Sequence, residues 1–195
     1  MKSEFWEVPE GQIAAVVTHL QMFERPAPRP MGRVDATLVP HAAPDLDWYR
    51  DLFMRVGGQD WMWFSRLGMN DAELAAILHR DDVHIYSVQK DGRDEGMLEL
   101  DFRVSGECEL GYFGLTSAMV GTGAGRWLME QALDLAWAQP ISRFHVHTCT
   151  LDSPQALPFY VRSGFQAYAR QIEVADDPRK AGVLPMDSAP QLPII

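Results

Sequence analysis

The sequence predicts a mixed α/β fold, in which a β-sheet carries helices on its faces, as a single domain over residues 1–195. Two observations support this fold class. β-rich segments alternate along the chain with segments whose apolar residues recur at helical spacing. The length of 195 residues suffices for one full hydrophobic core, and a hydrophobic content of 47% is ordinary for a folded protein.

The first third of the chain predicts one strand, one long connection and one helix. The strand is predicted over residues 12–22, because β-branched residues cluster near the middle of this segment. Five prolines between residues 25 and 44 indicate an irregular connection. Apolar residues at helical spacing predict a helix over 46–56, which the glycine pair 57–58 is expected to stop.

A second helix and a three-stranded meander are predicted next. Asn70 and Glu73 form a capping-box pattern at the start of this helix. Residues 83–88 and 97–103 predict two strands, the second of which alternates between an apolar and a polar face. Residues 108–115 predict the third strand of the meander.

The remaining elements alternate between helix and strand. We expect a helix over 125–138, a strand over 144–150, a short helix around Tyr160 and a strand over 165–174. Four prolines in residues 175–195 predict an extended tail on the surface.

Three alternate glycines, Gly121, Gly123 and Gly125, lie between the strand that ends at Leu115 and the next helix. Such a junction exposes unpaired N–H groups at the positive end of the helix dipole, and these groups suit a phosphate. Arg126 excludes both the Walker loop, which needs lysine after its last glycine, and the dinucleotide fingerprint, which needs a third glycine there. The alternative is a flexible strand-to-helix turn.

A second motif lies at residues 152–165, which predict a short helix entered from a strand. Together the two stretches resemble the GNAT superfamily of N-acetyltransferases. That family's pyrophosphate loop is Gln/Arg-x-x-Gly-x-Gly/Ala, and its later helix reads Asn-x-x-Ala-x-x-x-Tyr before Gly-Phe. The chain departs from these patterns at Val120 and Ser153, although Asp152 and Ser153 can both cap a helix. The matching residues are Gly123, Gly125, Ala156, Tyr160, Gly164 and Phe165.

The resemblance implies a GNAT-like fold, with a mostly antiparallel sheet splayed at the cofactor site and flanking helices. It also implies acetyl-CoA as cosubstrate, with the pyrophosphate on residues 122–126 and Arg126 as the only nearby formal positive charge. The backbone near Leu115 would pair with the pantetheine arm, and its N–H would stabilise an oxyanion. The expected cofactor-binding residues are Leu115, Thr116, Ser117, Val120, Gly121, Thr122, Gly123, Ala124, Gly125, Arg126, Ser153, Ala156 and Tyr160.

Tyr160 is the candidate catalytic acid. Its phenol can protonate a departing thiolate, and the family's tyrosine has this role. The alternative is a packed aromatic side chain on an amphipathic helix.

Glu109 is the candidate catalytic base, near the start of the strand that leads to the glycine loop. Gly111, Phe113 and Leu115 share its strand face, so we expect apolar surroundings that raise its pKa. The alternative is a solvated carboxylate on a sheet face. The reserve candidates on the neighbouring strand are Glu99 and Asp101.

Two further clusters have two interpretations each. His145, His147 and Cys149 fall on one strand face, either as a metal triad without an obvious fourth ligand or, as we favour, with one histidine lining the acceptor side. The aromatic residues at 61–64 form either a corner of the core or an apolar wall of the acceptor pocket. We predict no metal site.

The composition excludes several classes of function. A net charge of −10 argues against a nucleic-acid surface and requires local groups to hold an anionic cofactor. No apolar run approaches the ~20 residues of a membrane span, and the N terminus lacks the apolar core of a signal peptide. Two cysteines give no disulfide framework, so we expect a cytoplasmic protein, and a homodimer is left open.

The resemblance thus implies an N-acetyltransferase that transfers an acetyl group from acetyl-CoA to a primary amine of a small molecule or a protein, by direct attack in a ternary complex. The alternative is a non-catalytic acyl-CoA-binding or regulatory module on the same fold, which the departures at Val120 and Ser153 favour. A different phosphate-binding α/β enzyme is a third interpretation.

Overall fold

A computed structural model of the chain describes residues 3–195, and its centre is a seven-stranded sheet in the order β2-β3-β4-β5-β6-β1-β7. Neighbouring strands are antiparallel except β5 and β6, which are parallel. The predicted mixed, mostly antiparallel sheet is therefore confirmed. The strands are β1 (Gln12–Met22), β2 (Thr37–His41), β3 (Val83–Lys90), β4 (Arg93–Asp101), β5 (Glu107–Leu115), β6 (Arg143–Cys149) and β7 (Gln166–Asp176).

The helices flank this sheet on both faces. Asn70 and Glu73 form the predicted capping box, because each side chain accepts a hydrogen bond of 3.0 Å from the other residue's backbone N–H. Within residues 3–195, no helix combines the length and the apolar character needed to cross a membrane. The helices are α1 (Leu46–Phe53), α2 (Gln59–Trp61), α3 (Asp71–Leu78), α4 (Ala124–Trp137) and α5 (Ala156–Arg162).

The two sheet faces are covered by different layers. On the face that we call the α4 face, α4 and α5 pack on buried side chains such as Leu98, Leu100 and Phe144. On the opposite α1 face, α1 and α3 pack on β3 and β4 through residues that include Tyr49 and Leu74. Burial of these apolar side chains on both faces supplies the main driving force for the fold.

The first strand lies inside the sheet rather than at its edge. β1 is antiparallel to both β6 and β7, so residues near the two ends of the chain become neighbours. Leu20 and Met22 of β1 are buried against Val146 and Phe144 of β6. This placement leaves β7 as an edge strand.

The proline-rich connection is regular in one short part, which corrects the prediction for residues 25–44. Residues 37–41 form β2 at the edge of the sheet. Pro40 is tolerated there because an edge strand needs hydrogen bonds on one side only. The irregular part, residues 24–36, crosses the α4 face and is called the strap below.

The glycine pair does not stop the first helix, which corrects a second prediction. The chain continues through a π-helical turn at Met54–Gly58 and α2, and it reverses at Met62 with a φ of 57°. Gly57 is instead a packing requirement, since a Cβ atom there would lie 2.0 Å from Cδ2 of Trp63. The same indole lies against Gly114, where a Cβ atom would lie 3.0 Å from its Cη2.

The C-terminal tail is folded rather than extended, which corrects the prediction for residues 175–195. Arg179 is only 3% exposed, and its guanidinium donates to the Asp177 carboxylate and to the carbonyls of Ser188 and Leu192. Apolar side chains of the tail also join a third buried cluster with β1. A buried guanidinium needs such a set of hydrogen-bond acceptors. Because the tail itself supplies these acceptors, the hydrogen bonds to Arg179 fix the path of the tail.

We expect Gly57→Ala to lower the free energy of unfolding by about 2 kcal/mol, because the added methyl group overlaps the Trp63 indole. Chemical denaturation of both variants measures this difference. Gly32→Ala is the matched control, since no atom lies within 4 Å of a Cβ built there. Equal stability of the Gly57→Ala protein and the wild type would contradict this account of Trp63.

Candidate functional site

β5 and β6 separate soon after they pair, which opens a gap in the sheet. Their pairing covers only residues 107–109 and 143–145. On its other side β5 stays bonded to β4 as far as Thr116, whose N–H donates to the carbonyl of Glu95 at 2.9 Å. Because N–H groups alternate sides along a strand, the N–H of Leu115 points to the open side. The predicted splay of the sheet is present.

A bulge at Gly111 decides which way the side chains of β5 point. The register between β4 and β5 shifts there, so that Gly111 is an extra residue without a partner. Leu110 and Phe113 consequently both lie in the α4-face cluster, whereas Glu109 lies on the α1 face. The expectation that Glu109 shares a face with Phe113 and Leu115 is wrong, because it assumed an unbroken alternation.

Glu109 is hydrogen-bonded to His147, with 3.1 Å between Oε1 and Nδ1. This bond lowers the pKa of Glu109 and raises the pKa of His147. The expected increase in the pKa of Glu109 is therefore wrong, since an imidazole rather than apolar side chains faces the carboxylate. The Glu109 side chain is 33% exposed and that of His147 is 52% exposed, so solvent reaches the pair.

The two reserve carboxylates are engaged elsewhere. Glu99 is fully buried and paired with the guanidinium of Arg66. Asp101 is 8% exposed and accepts a hydrogen bond of 2.7 Å from Arg103. Of the three carboxylates considered, Glu109 is the one that an incoming molecule can reach.

The neighbours of His147 on β6 have separate surroundings. His145 lies 3.5 Å from the Glu107 carboxylate, and burial lowers its pKa. Burial raises the pKa of the Cys149 thiol to about 11, so that the thiol stays protonated at neutral pH. In the part of the chain that the structure describes, no group of three or more His, Cys, Asp or Glu side chains is arranged to hold a metal ion.

Tyr160 lies on the α4 face in α5, the helix that begins at Ala156. Its ring packs edge-on against Phe113 of β5 and Phe165, with centroid distances of 6.3 and 5.9 Å. Burial raises the pKa of its phenol, and the Asp152 carboxylate adds to the effect. The hydroxyl therefore keeps its proton at neutral pH and is able to donate it.

Asp152 bridges the gap instead of capping α5. Its carboxylate accepts hydrogen bonds from the Thr148 hydroxyl at 2.7 Å and from the Cys149 N–H at 2.9 Å. It also accepts from the indole N–H of Trp63 at 3.0 Å, and the same indole lies against β5. Ser153 does not cap α5 either. Its hydroxyl accepts a hydrogen bond of 3.3 Å from the N–H of Gln155, which precedes the helix.

The glycine loop has the geometry that a phosphate site needs. Gly121 and Gly123 have left-handed φ values of 81° and 87°, which glycine adopts at least cost. Among the described residues, the N–H groups of Gly123, Gly125 and Arg126 donate to no protein group. Ala124 is different, because its N–H lies 3.4 Å from the Thr122 hydroxyl. Free donors at the N-terminus of a 14-residue helix favour an anion.

The remaining predicted loop residues lie around this junction. The Thr116 hydroxyl is bonded to the buried carboxylate of Glu95, so its side chain is already engaged. Ser117 opens a short 3₁₀ turn and is exposed, and Val120 is 71% exposed. Ser117 and Val120 therefore lie at the surface beside the loop, whereas the Thr116 side chain points into the protein.

A cavity of about 360 Å³ lies beside the loop, and it corrects the expectation that Arg126 is the only nearby cation. Arg29 and Arg33 of the strap and Arg162 of α5 also line it. The proximity of Arg29 and Arg33 to the loop does not follow from the sequence, because the strap lies about 90 residues from the loop along the chain. The available signal was the spacing of Arg25, Arg29 and Arg33 at every fourth residue.

Comparisons with known proteins agree with this arrangement. The profile of the GNAT acetyltransferase family matches residues 46–165. A GCN5-related N-acetyltransferase from Sphaerobacter thermophilus superposes with a TM-score of 0.62 at 12% identity, over 88% of this chain and 53% of that one. A conserved protein from Staphylococcus epidermidis gives a TM-score of 0.56 at 11% identity, over 86% and 63%. This chain therefore spans less than two thirds of the length of each of these two proteins.

A third similar structure holds a ligand. It is a GNAT family acetyltransferase from Elizabethkingia anophelis with acetyl-CoA bound, and it superposes with a TM-score of 0.54 at 16% identity, over 70% of this chain and 80% of that one. At such identities the likeness shows the fold. Curated protein sequences contain no significant match to the chain.

Because the family profile covers more than half of its residues, the chain belongs to the GNAT family of acetyltransferases. The resemblance seen in the glycine loop and the Tyr160 motif is thereby confirmed. Acetyltransferases of this family use acetyl-CoA as cosubstrate.

We expect Glu109→Gln to lower the pKa of His147 toward that of a free imidazole, because the hydrogen bond to the carboxylate is what raises it. An NMR titration of the imidazole resonances measures this shift. Glu107→Gln is the control, since Glu107 faces His145 and Arg143 instead. A His147 pKa that stays unchanged in Glu109→Gln would contradict the pairing.

Proposed function

We propose that the protein is an N-acetyltransferase that transfers the acetyl group of acetyl-CoA to a primary amine, by direct attack in a ternary complex. The proposal rests on one observation: the groups that acyl transfer requires lie along β5, the strand that borders the gap. It has the Glu109–His147 pair near its start, Phe113 packed against Tyr160 in its middle and the glycine loop beyond its end. Acyl transfer to an amine requires a proton acceptor, an acid and a held thioester.

The groups around the gap fit acetyl-CoA as a substrate. The free N–H groups of Gly123, Gly125 and Arg126 would bind the pyrophosphate, with Gly121, Thr122 and Ala124 shaping the turn. The open backbone edge of β5 would pair with the pantetheine arm. The N–H of Leu115 would then face the thioester carbonyl and stabilise the oxyanion that forms on it.

The Glu109–His147 pair is the proposed proton acceptor. An ammonium group must lose a proton before its nitrogen can attack, and the neutral imidazole of His147 can accept that proton directly or through water. Glu109 fixes the orientation of the ring and stabilises its charged form. The rate is therefore expected to rise with pH through the raised pKa of His147.

Tyr160 is the proposed proton donor to the thiolate that leaves when the carbon–sulfur bond breaks. Its phenol is protonated at neutral pH, because burial and the nearby Asp152 carboxylate raise its pKa, and no hydrogen bond contributes to this shift. The nitrogen forms the new bond to the acetyl carbon, and the thiolate becomes the free thiol of CoA. The ammonium group first loses one proton to His147, which releases it to solvent, and the attacking nitrogen loses a second proton to His147 as the amide forms. Tyr160 gives its proton to sulfur, and its phenolate recovers a proton from His147. The net reaction therefore yields the amide, free CoA and one proton released to solvent.

The acceptor amine is proposed to approach from the α1 face. An open groove there runs beside His147, and His19, Gln171 and Glu173 line it. The Glu173 carboxylate at this groove suits an amine that arrives as a cation. We propose a primary amine of a small molecule or a protein as the acceptor class.

Acetyl-CoA is expected to raise the thermal midpoint of unfolding, with ATP and NAD as controls. Ligand at 100 times its dissociation constant adds ~2.7 kcal/mol. For a domain of this size that corresponds to a rise of roughly 5–10 °C. A lack of any shift at saturating acetyl-CoA, or an equal shift with ATP, would contradict the proposed cosubstrate site.

Tyr160→Phe is expected to lower kcat roughly a hundredfold and to leave the KM for acetyl-CoA nearly unchanged, because only the proton donor is lost. Release of free thiol with a panel of small primary amines and lysine peptides measures turnover. Tyr86→Phe on β3 is the matched control and should behave like the wild type.

Two results of this assay would contradict catalysis through these residues. Full turnover in both Tyr160→Phe and Glu109→Gln would remove the assigned roles. Binding of acetyl-CoA without acetylation of any amine in the panel would instead favour the non-catalytic acyl-CoA-binding module.

A further inference from the structure

The strap contributes one wall of the cavity beside the glycine loop, although it lies outside the segment that matches the family profile. Residues 24–36 leave the end of β1, cross the α4 face and reach β2 at the opposite edge of the sheet. On the way, Val34 comes within 4.0 Å of the position a Cβ atom would take at Gly123. The connection between two strands therefore runs directly over the phosphate loop.

Specific contacts hold the strap in this position. Arg25 is bonded to Asp134 at 2.6 Å, and Arg29 is bonded to Glu130 at 3.2 Å. Pro26 packs so closely on Gly164 that a Cβ atom there would lie 2.7 Å from its Cγ. Proline also limits the number of conformations open to the strap. Its arginine side chains thus start from a fixed backbone.

The arginines that line the cavity fall into two groups. Arg29 is saturated, because it also donates to the carbonyl of Arg162 at 2.9 Å. Arg33, Arg126 and Arg162 form no ion pair or hydrogen bond through their guanidinium groups with any residue of the described chain. The other lining residues are neutral: Met31, Gly32, Val34, Thr122, Gly123 and Phe159.

Three exposed guanidinium groups border one small cavity of a chain whose net charge is −10. Water and salt screen the repulsion between these exposed groups, but an anion placed among them is attracted by all three charges. The pyrophosphate is already matched by the free loop N–H groups together with Arg126. Arg33 and Arg162 therefore remain for a second anionic group, and guanidinium is well suited to bind a phosphomonoester.

We propose that Arg33 of the strap and Arg162 of α5 bind the 3′-phosphate on the adenosine of acetyl-CoA, which makes the strap a cofactor-selecting element. This inference rests on the proposed cosubstrate. The partly buried ring of Phe159 and the exposed side chain of Met31 give the cavity an apolar part that suits the adenine. The site distinguishes CoA from nucleotides that carry a diphosphate but lack the 3′-phosphate.

The test is calorimetric titration of the full-length protein with CoA and with 3′-dephospho-CoA. The wild type should bind CoA roughly three- to tenfold more tightly than the dephospho form. Arg33→Ala and Arg162→Ala should each lose most of this preference by weakening CoA alone. Arg170→Ala on β7 is the matched control, because it removes the same charge from an exposed site away from the cavity.

The outcomes separate this inference from the proposed function. Equal affinity of the wild type for both ligands would overturn the 3′-phosphate site but not the proposal that acetyl-CoA is the cosubstrate. An equal loss of both affinities in Arg33→Ala and Arg162→Ala would have the same meaning. Wild type that binds neither ligand would overturn both proposals. A smaller salt dependence of CoA binding in Arg33→Ala than in Arg170→Ala would support the site, since one phosphate contact is gone.

Discussion

The separation of β5 from β6 is the constraint on which the candidate site depends. A sheet interior normally pairs every N–H and C=O group, because leaving such groups unpaired costs free energy. Here the pairing ends after three residues of each strand, and the edge of β5 beyond it is open. Trp63 holds the two sides in place, with its ring against Gly57 and Gly114 and its N–H on Asp152. The gap is therefore maintained by packing and hydrogen bonding, and the hydrogen-bonding groups on its β5 edge are available to a ligand.

The bulge at Gly111 places different side chains of β5 on the two faces of the sheet at that gap. It turns Phe113 toward Tyr160 on the α4 face and leaves Glu109 beside His147 on the α1 face. The proposed acid and the proposed proton acceptor, whose pKa values are shifted by different causes, can then serve opposite ends of one transfer. Burial keeps the phenol protonated, whereas a hydrogen bond couples the carboxylate to the imidazole.

The path of the N-terminal part links the sheet to the cosubstrate side. β1 is placed between β6 and β7, and the strap must then cross the α4 face to reach β2 at the other edge. This route carries Arg33 to the phosphate loop, so a cationic cavity forms on a protein that is acidic overall. The groove on the other side, which is proposed to receive the acceptor, contains Glu173 and histidines instead. Local placement of charge, rather than net charge, therefore gives each side its chemical preference.

The sequence by itself determined the elements whose signals are local. The strand at 12–22, the capping box at Asn70, the glycine-rich junction before α4 and the helix of Tyr160 all follow from neighbouring residues and hold in the structure. The tertiary structure alone decided the partner of Glu109, the role of Asp152, the arginines of the cavity and the folded tail. Each of these depends on residues distant in sequence or, for Glu109, on a bulge that only pairing with β4 reveals. Hydrophobic periodicity reports which residues are buried, but it does not report which side chains meet across the fold.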